Sequence, residues 1–252
     1  MSLSSLLYKK KHYTTAIILA GGSGTRMGTD NTKQFIDLAG VPVIARTIDA
    51  FQKADTVSEI VIVAKKDEVS LYKELIAKYS FSKVTKVVKG GSTRQKSALC
   101  GFEAISPKTK FIAIHDGARP LVTYELIDKV VKSAHISRAS IAAVPCKDTP
   151  KVIHPINHKI DDLKDQVQRD KLWLAQTPQV FQVDLYRCSA YYAVEKNFEG
   201  TDDASLCEFT GFDVKCVEGS YENIKITTPE DLICAEAILR HRQGFTGGEL
   251  YE

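Results

Sequence analysis

A glycine-rich loop with two cations follows the first apolar run of the sequence. Four glycines lie between positions 21 and 28, and the cations are Arg26 and Lys33. Glycine lets backbone N–H groups approach an anion closely, and fixed cations beside such a loop favour a polyphosphate. The alternative is a tight surface turn with two solvated cations. The residue types and the position after a buried run favour the anion site.

Two familiar phosphate-binding motifs do not fit this loop. A dinucleotide fingerprint needs G-x-G-x-x-G, and Met27 stands where the third glycine would be. A P-loop needs G-x-x-x-x-G-K-[ST], and that string does not occur in the chain. The loop therefore predicts a nucleotide or polyphosphate site of another class, and it disfavours a dinucleotide-dependent oxidoreductase.

Short apolar runs that alternate with amphipathic stretches indicate the elements that hold this loop. Buried strands are predicted at residues 15–20, 59–64, 84–88, 111–115 and 140–144. Helices are predicted at 42–53 with Pro42 in the first turn, after a cap at Asp67, around 127–134, and from a cap at Thr228. This alternation predicts an α/β, Rossmann-like fold with a mainly parallel sheet and helices on both faces. In such sheets ligands bind beyond the carboxyl ends of strands, where the glycine loop lies.

Chain length and composition allow one large domain or two small ones, and the strand–helix alternation without a dividing linker favours one. The 252 residues are 44% apolar and 26% charged, and no linker divides them. We predict an N-terminal tail at 1–14, a single domain at 15–242 and a C-terminal tail at 243–252. Residues 147–171 are polar, contain prolines and lack a helical stripe, so they predict a hairpin arm that protrudes from the domain.

Charge and cysteine usage exclude several classes of protein. A net charge of +3 is too small for a dedicated nucleic-acid surface. No apolar run approaches the ~20 residues of a membrane span, and the N-terminal cations follow the apolar residues, the reverse of a secretory signal. The six cysteines form no C-x-x-C pair and no zinc pattern, which is typical of a reducing compartment. We expect a cytoplasmic protein without nucleic-acid or membrane partners.

Further motifs follow one another in a fixed order along the chain. They are GGSGTRMG at 21–28 with KQF at 33–35, GGSTRQKS at 90–97, HDGARP at 115–120, DT at 148–149, QTPQVF at 176–181, TDDA at 201–204 and NIKIT at 223–227. Together they resemble the 2-C-methyl-D-erythritol 4-phosphate cytidylyltransferase family, which belongs to the nucleotidyltransferases that activate sugar and polyol phosphates. The resemblance spans about residues 15 to 240.

The resemblance implies a reaction and the residues that perform it. The phosphate of methylerythritol phosphate would attack the α-phosphorus of CTP and expel pyrophosphate, so catalysis would be positioning and charge stabilisation. Arg26 and Lys33 would stabilise the transition state, and Arg169 and Lys225 would hold the polyol phosphate. Mg²⁺ would be bound mainly through the CTP phosphates, with no protein ligand assigned to it.

The resemblance also implies substrate-binding positions. They are Ala20, Gly21, Gly22, Gly24, Gly91, Ser97, Asp116, Gly117, Arg119 and Thr149. Three alternatives stay open at this stage: Ser97 as a helix cap, Asp116 as a structural partner of Arg119, and Lys225 as a surface lysine.

The predicted arm carries Arg169, and in the family this arm crosses to a second subunit. The resemblance therefore implies a homodimer with a composite active site. Three departures from the family pattern stand out: Gln168 replaces the usual Asp before Arg169, Val167 replaces the usual Thr, and Gly117 replaces the more usual Ala. Ribitol-5-phosphate cytidylyltransferase is the nearest alternative function, and a non-catalytic nucleotide-binding module is an alternative of another class.

Overall fold

Nine strands lie in residues 12–22, 33–152 and 168–244, the parts of the chain that the computed structural model describes. They are β1 Thr14–Leu19, β2 Asp37–Leu38, β3 Val41–Pro42, β4 Glu59–Ala64, β5 Val84–Lys89, β6 Phe111–Asp116, β7 Ala139–Pro145, β8 Trp173–Gln182 and β9 Lys215–Glu218. The five strands predicted from the sequence are β1, β4, β5, β6 and β7, each correct to within one residue at either end.

Seven α-helices and three 3₁₀ turns lie in the same described ranges. The helices are α1 Val43–Lys53, α2 Val69–Tyr79, α3 Arg94–Glu103, α4 Tyr124–Ser137, α5 Val183–Glu195, α6 Asp203–Phe209 and α7 Pro229–Arg242. The 3₁₀ turns are Lys33–Phe35, Lys66–Glu68 and Arg169–Lys171.

The central sheet has seven strands in the order β5-β4-β1-β6-β8-β7-β9. Strands β5, β4, β1 and β6 pair in parallel, as do β7 and β9, whereas β8 pairs antiparallel with both of its neighbours. The mainly parallel Rossmann-like sheet is thus confirmed, with one reversed strand that the sequence pattern did not reveal. Strand β8 carries Pro178 and several polar residues, so it lacks an apolar run. The proline lies where the register against β7 shifts, which is where a central strand tolerates it.

Helices cover both faces of the sheet, as predicted. On one face α1, α2 and α4 pack against alternate sheet residues such as Ile18 and Ile62. On the other, α3, α5 and α6 pack against the intervening residues, including Ile17 and Val63. This separation follows from the two-residue period of a strand, which sends neighbouring side chains to opposite faces. Helix α7 packs apart from both, in a smaller apolar cluster around Ala235.

Two of the predicted helices are present, but each begins one residue later than predicted. Pro42 lies in the short strand β3 and flanks α1 rather than forming its first turn. Asp67 lies in a 3₁₀ turn, and α2 begins after Glu68. The start of α7 is confirmed, because the Asp231 carboxylate accepts the backbone N–H groups of Thr227 and Thr228 at 2.6 and 2.8 Å. In the described ranges no helix has the length and apolarity to cross a membrane.

Candidate functional site

The carboxyl ends of β1 and β6 form the centre of the candidate site. These strands are neighbours, with Leu19 opposite Asp116, and the chain leaves β1 toward β4 on one side and β6 toward β7 on the other. Such a change of direction opens a crevice, the usual ligand position in open α/β sheets. The backbone N–H of Gly117 donates to the carbonyl of Leu19 at 2.8 Å, so the loops after the two strands begin side by side.

The loop after β5 lies at the same edge of the sheet and is held by Ser97. The Ser97 hydroxyl accepts the N–H of Gly91 at 3.1 Å and donates to the carbonyl of Thr93 at 2.8 Å. A Cβ on Gly91 would lie 2.5 Å from the Cβ of Lys96, so only glycine fits this turn. The cap of α3 is Thr93, which accepts the N–H of Lys96, and the alternative of Ser97 as the cap is therefore wrong.

The surroundings of Gly117, the glycine after Asp116, leave little room for a side chain. A Cβ on Gly117 would lie 2.9 Å from Cδ1 of Ile44 and 3.0 Å from the carbonyl oxygen of Leu19. The second contact is with backbone, so it is not relieved by a rotamer change. In this chain an alanine at position 117 would require β1 and β6 to adjust, which gives a physical reason for the departure from the family pattern.

The residues after β1 are only partly described. Ala20 is buried and its N–H donates to the carbonyl of Val63 at 2.8 Å, whereas Gly21 is half-buried and Gly22 is exposed. Gly24 and Arg26, which we predicted as site residues, lie outside the described residues. For Lys33 the backbone is described and begins a 3₁₀ turn, and its side chain lies outside the described part.

One carboxylate, that of Asp116, meets three cations in the crevice. Lys225 Nζ lies 2.9 Å and Arg119 Nε 3.7 Å from its Oδ2, and Arg94 Nε lies 3.4 Å from its Oδ1. Burial by itself raises the pKa of Asp116, but the charges of Lys225 and Arg94 outweigh it and hold the pKa well below its ordinary value. Asp116 is therefore an anion throughout the physiological pH range.

The NIKIT segment is fixed beside the HDGARP loop by backbone contacts. Arg119 donates from Nη1 to the carbonyl of Asn223 at 2.7 Å, and the N–H of Ile226 donates to the carbonyl of Ala118 at 2.8 Å. Lys225 is thus brought to Asp116 from 109 residues further along the chain. The contact with Asp116 argues against the alternative of a lysine that only faces solvent. The alternative of Asp116 as a partner of Arg119 is confirmed as one contact among three.

A hydrogen bond to the buried Thr177, which in turn contacts His115, fixes the backbone at Asp116. The Thr177 hydroxyl accepts the N–H of Asp116 at 3.1 Å, so its own hydrogen is free to reach Nδ1 of His115 at 2.9 Å. That leaves the proton of neutral His115 on Nε2, which faces the carbonyl of Arg119 at 3.4 Å. Thr177 and His115 are in the quoted motifs, but the sequence did not identify them as supports of the site.

Because the imidazole of His115 is buried, we expect the free energy of unfolding to depend on pH. Burial lowers its pKa from 6.5 to about 3. The unfolded chain therefore takes up a proton that the folded chain refuses between these values, and the free energy of unfolding falls as the pH is lowered through them. We expect His115→Gln to make this decline shallower by up to about 1.4 kcal/mol per pH unit. Chemical denaturation at a series of pH values measures both slopes, and equal slopes would contradict the prediction.

Arg94 and Asp203 extend the cluster beyond the residues predicted from the sequence. Arg94 Nη1 lies 2.7 Å from Oδ2 of Asp203, whose Oδ1 accepts the Tyr186 hydroxyl at 2.9 Å. Both residues belong to quoted motifs, GGSTRQKS and TDDA. Nothing in the linear sequence shows that these motifs, 109 residues apart, meet through one ion pair.

Two predicted site residues, one in the segment after β7 and one before β8, are exposed to solvent. Thr149 is exposed in the segment after β7, and Arg169 is exposed in the 3₁₀ turn before β8. The Arg169 side chain donates from Nη1 to the carbonyl of Lys147 at 3.4 Å. Most of the predicted arm at 147–171, from 153 to 167, lies outside the described residues.

Comparison with known sequences places the chain among proteins of one description. A sequence profile for 2-C-methyl-D-erythritol 4-phosphate cytidylyltransferase, IspD, matches residues 14–241. The protein of that name from Alkaliphilus oremlandii is 45% identical over 231 residues, which cover 91% of this chain and 96% of the relative. Its counterpart from Caldanaerobacter subterraneus is 43% identical over 227 residues, covering 90% and 98%.

Solved structures agree with the sequence comparison. The crystal structure of 4-diphosphocytidyl-2C-methyl-D-erythritol synthase from Anaerococcus prevotii has a TM-score of 0.80 at 33% identity, covering 92% of this chain and 100% of that chain. The 2-C-methyl-D-erythritol 4-phosphate cytidylyltransferase of Thermus thermophilus has a TM-score of 0.71 at 28% identity, covering 90% and 99%. The similarity therefore extends from the motifs to the fold.

Proposed function

Because the chain belongs to the 2-C-methyl-D-erythritol 4-phosphate cytidylyltransferase family, we propose that the crevice between β1 and β6 is the site of that family's reaction in this protein. The chain is a nucleotidyltransferase that joins CTP to 2-C-methyl-D-erythritol 4-phosphate and releases pyrophosphate. The observation that carries the assignment of the site is the meeting of Arg94, Arg119 and Lys225 at Asp116, at the point where the sheet changes direction.

The charges in this cluster favour an anionic ligand. Three cations face two carboxylates, those of Asp116 and Asp203, which leaves one positive charge in excess. The Lys225 side chain is 40% exposed, so its ammonium group is open to solvent on one side. Arg119 is largely buried, with its Nε 3.7 Å from Asp116 and its Nη1 on the carbonyl of Asn223, so it adds fixed positive charge behind Lys225. A phosphate would accept from the open side of the Lys225 ammonium group.

The reaction needs positioning and charge stabilisation, and the cations supply both. Lys225 and Arg169 would hold the polyol phosphate for in-line attack on the α-phosphorus of CTP. Arg26 and Lys33 would offset the negative charge that develops on the α-phosphate oxygens and on the departing pyrophosphate. In this assignment no side chain becomes covalently attached to the substrate.

The loops at the strand ends would bind the nucleotide. Ala20, Gly21, Gly91, Ser97 and Gly117 would surround the cytosine ring, because small residues leave room for the base and expose backbone donors and acceptors. Gly22 and Gly24 would lie along the triphosphate. Asp116, Arg119 and Thr149 would contact the hydroxyl and phosphate groups of the substrates.

Mg²⁺ is proposed as the cofactor, held mainly through the CTP phosphates. The described residues include no group of three or more His, Cys, Asp or Glu side chains that could hold a metal ion, and Asp116 is the carboxylate that lies in the crevice. This donor set fits Mg²⁺, which commonly keeps its waters and relies on substrate phosphates. When bound there, the ion would neutralise phosphate charge.

A cytoplasmic homodimer with a composite site is proposed as the working form. Trp173 and Leu174, which follow Arg169, are 42% and 53% exposed, and such apolar side chains at the base of an arm fit a partner surface. All six cysteines are free, as expected in a reducing compartment. The division into tails at 1–14 and 243–252 around one domain at 15–242 is part of the same proposal.

Pyrophosphate release tests the proposed substrates. The purified protein with Mg²⁺ is mixed with CTP, UTP, ATP or GTP, each with 2-C-methyl-D-erythritol 4-phosphate or ribitol 5-phosphate. We expect release only with CTP and methylerythritol phosphate, and none when the polyol phosphate is omitted. Preference for ribitol 5-phosphate would favour the sister activity. No release with any pair would favour a non-catalytic nucleotide-binding module.

A further inference from the structure

Arg94 joins two carboxylates that lie on different elements. Its Nη1 is 2.7 Å from Oδ2 of Asp203 at the start of α6, and its Nε is 3.4 Å from Oδ1 of Asp116 at the end of β6. The guanidinium group is planar and carries donors on two sides, so one arginine can serve both acceptors. Arg94 itself begins α3, so three elements of the fold meet at this side chain.

Asp203 is the fixed end of this bridge. Its side chain is 1% exposed, and its Oδ1 accepts the hydroxyl of the fully buried Tyr186 at 2.9 Å. Its backbone N–H, together with that of Ala204, donates to Oε1 of Gln179 in β8 at 3.0 Å. Because all of these partners are internal, Asp203 holds Arg94 whether or not substrate is present.

Asp116 is the shared end of the bridge. One of its oxygens faces Arg94 and the other faces Lys225 at 2.9 Å. A single negative charge divided between several cations attracts each of them less than a charge that belongs to one partner alone. The phosphate of the polyol substrate must compete with Asp116 for the Lys225 ammonium group, so the strength of the Arg94 contact affects that competition.

We propose that Arg94 is a positioning residue: held by Asp203, it engages one oxygen of Asp116 and thereby sets how strongly Asp116 competes with the substrate phosphate for Lys225. This inference rests on the proposed role of Lys225. Arg94 acts on the substrate through Asp116 and Lys225. Loss of Arg94 and loss of the Asp203 charge should therefore have opposite effects on the binding of the polyol phosphate.

Steady-state kinetics of two variants test this opposition. In Arg94→Met the Asp116 carboxylate turns to Lys225, and we expect the KM for the polyol phosphate to rise by about tenfold. In Asp203→Asn the positive charge of Arg94 is no longer shared between two carboxylates, so Arg94 attracts Asp116 more strongly and draws it away from Lys225. We therefore expect the KM for the polyol phosphate to fall by about two- to threefold. The KM for CTP is expected to stay within about twofold of the wild-type value in both variants.

A merely structural role for Arg94 gives a different result. Loss of folded enzyme lowers the apparent kcat and leaves KM unchanged, and general distortion of the site moves both KM values upward in both variants. Thermal melting reports folding in each case. Should Arg94→Met fail to fold, Arg94→Lys replaces it, because one ammonium group cannot hold both carboxylates; its KM for the polyol phosphate is expected to rise less than tenfold.

Arg187→Met is the matched control, since Arg187 is an exposed arginine paired with Asp184 at 2.8 Å. It is expected to leave both KM values unchanged. The inference is overturned if the KM for the polyol phosphate is unchanged in both variants or moves in the same direction in both. If instead Lys225→Ala has the wild-type KM for the polyol phosphate, the proposed role of Lys225 fails first.

Discussion

Replacing Lys225 with alanine is expected to lower kcat/KM for the polyol phosphate by about 100- to 1,000-fold. The ammonium group lies 2.9 Å from Asp116 and is open to the crevice, where it would meet the phosphate that attacks CTP. Loss of one preorganised charge of this kind removes stabilisation that water cannot replace. Pyrophosphate release at varied concentrations of each substrate measures the effect.

The fold of this variant should survive. The segment around Lys225 is held by the contacts of Arg119 with Asn223 and of Ile226 with Ala118, both of which use backbone carbonyls and do not involve the Lys225 side chain. We therefore expect a melting temperature close to that of the wild type. Lys53→Ala is the matched control, because Lys53 forms an exposed pair with Asp49 at 2.6 Å on α1. If Lys225→Ala turned over substrate at the wild-type rate, Lys225 would be a surface lysine without a role in the reaction.

Replacing Asp116 with alanine is expected to reduce both activity and stability. Arg119 and Arg94, whose side chains are 13% and 31% exposed, would face each other and Lys225 without the carboxylate that separates them. Removing one partner from a largely buried charge cluster lowers the free energy of unfolding by ~3 kcal/mol. We expect kcat/KM for CTP to fall by about 100-fold in the protein that remains folded, because the three cations lose the carboxylate that positions them. Chemical denaturation and kinetics on the same preparation measure the two effects.

Asp184→Ala provides the comparison for this second variant. Asp184 pairs with Arg187 at 2.8 Å, but the side chains are 78% and 54% exposed, so solvent screens the pair. Its loss is expected to change the free energy of unfolding by less than about 1 kcal/mol and to leave activity unchanged. If Asp116→Ala were as mild as this control, Asp116 would not be the centre of the charge cluster.

The sequence predicted five strands of mainly apolar residues and missed β8, which relies on its neighbours. Strand β1 is buried at all six positions and apolar at the last four, since the sheet is covered on both faces. Strand β8 is a central strand of the same sheet, but Gln176 and Gln179 are among its buried residues. Their amide groups are satisfied by Ser220 and by the start of α6, contacts that exist only after folding.

The candidate site was predicted in its parts but not in its connections. The motifs at 115–120 and 223–227 identified Asp116, Arg119 and Lys225 as candidates, and these three meet in the structure. Arg94 and Asp203 were quoted in motifs without a role. The predicted helix starts at Pro42 and Asp67 were each one residue too early, because α1 begins at Val43 and the residue that precedes α2 is Glu68.

The sequence by itself determined the class of fold and the family, and it identified candidate site residues. Those features depend on residue types and on the order of motifs along the chain: alternating apolar runs and glycines beside cations. Only the tertiary structure decided which charges share a partner, because Arg94, Asp116, Asp203 and Lys225 are brought together by the strand order of the sheet. An electrostatic interaction depends on distance in space and on burial, and neither quantity is written in the spacing of residues along the chain.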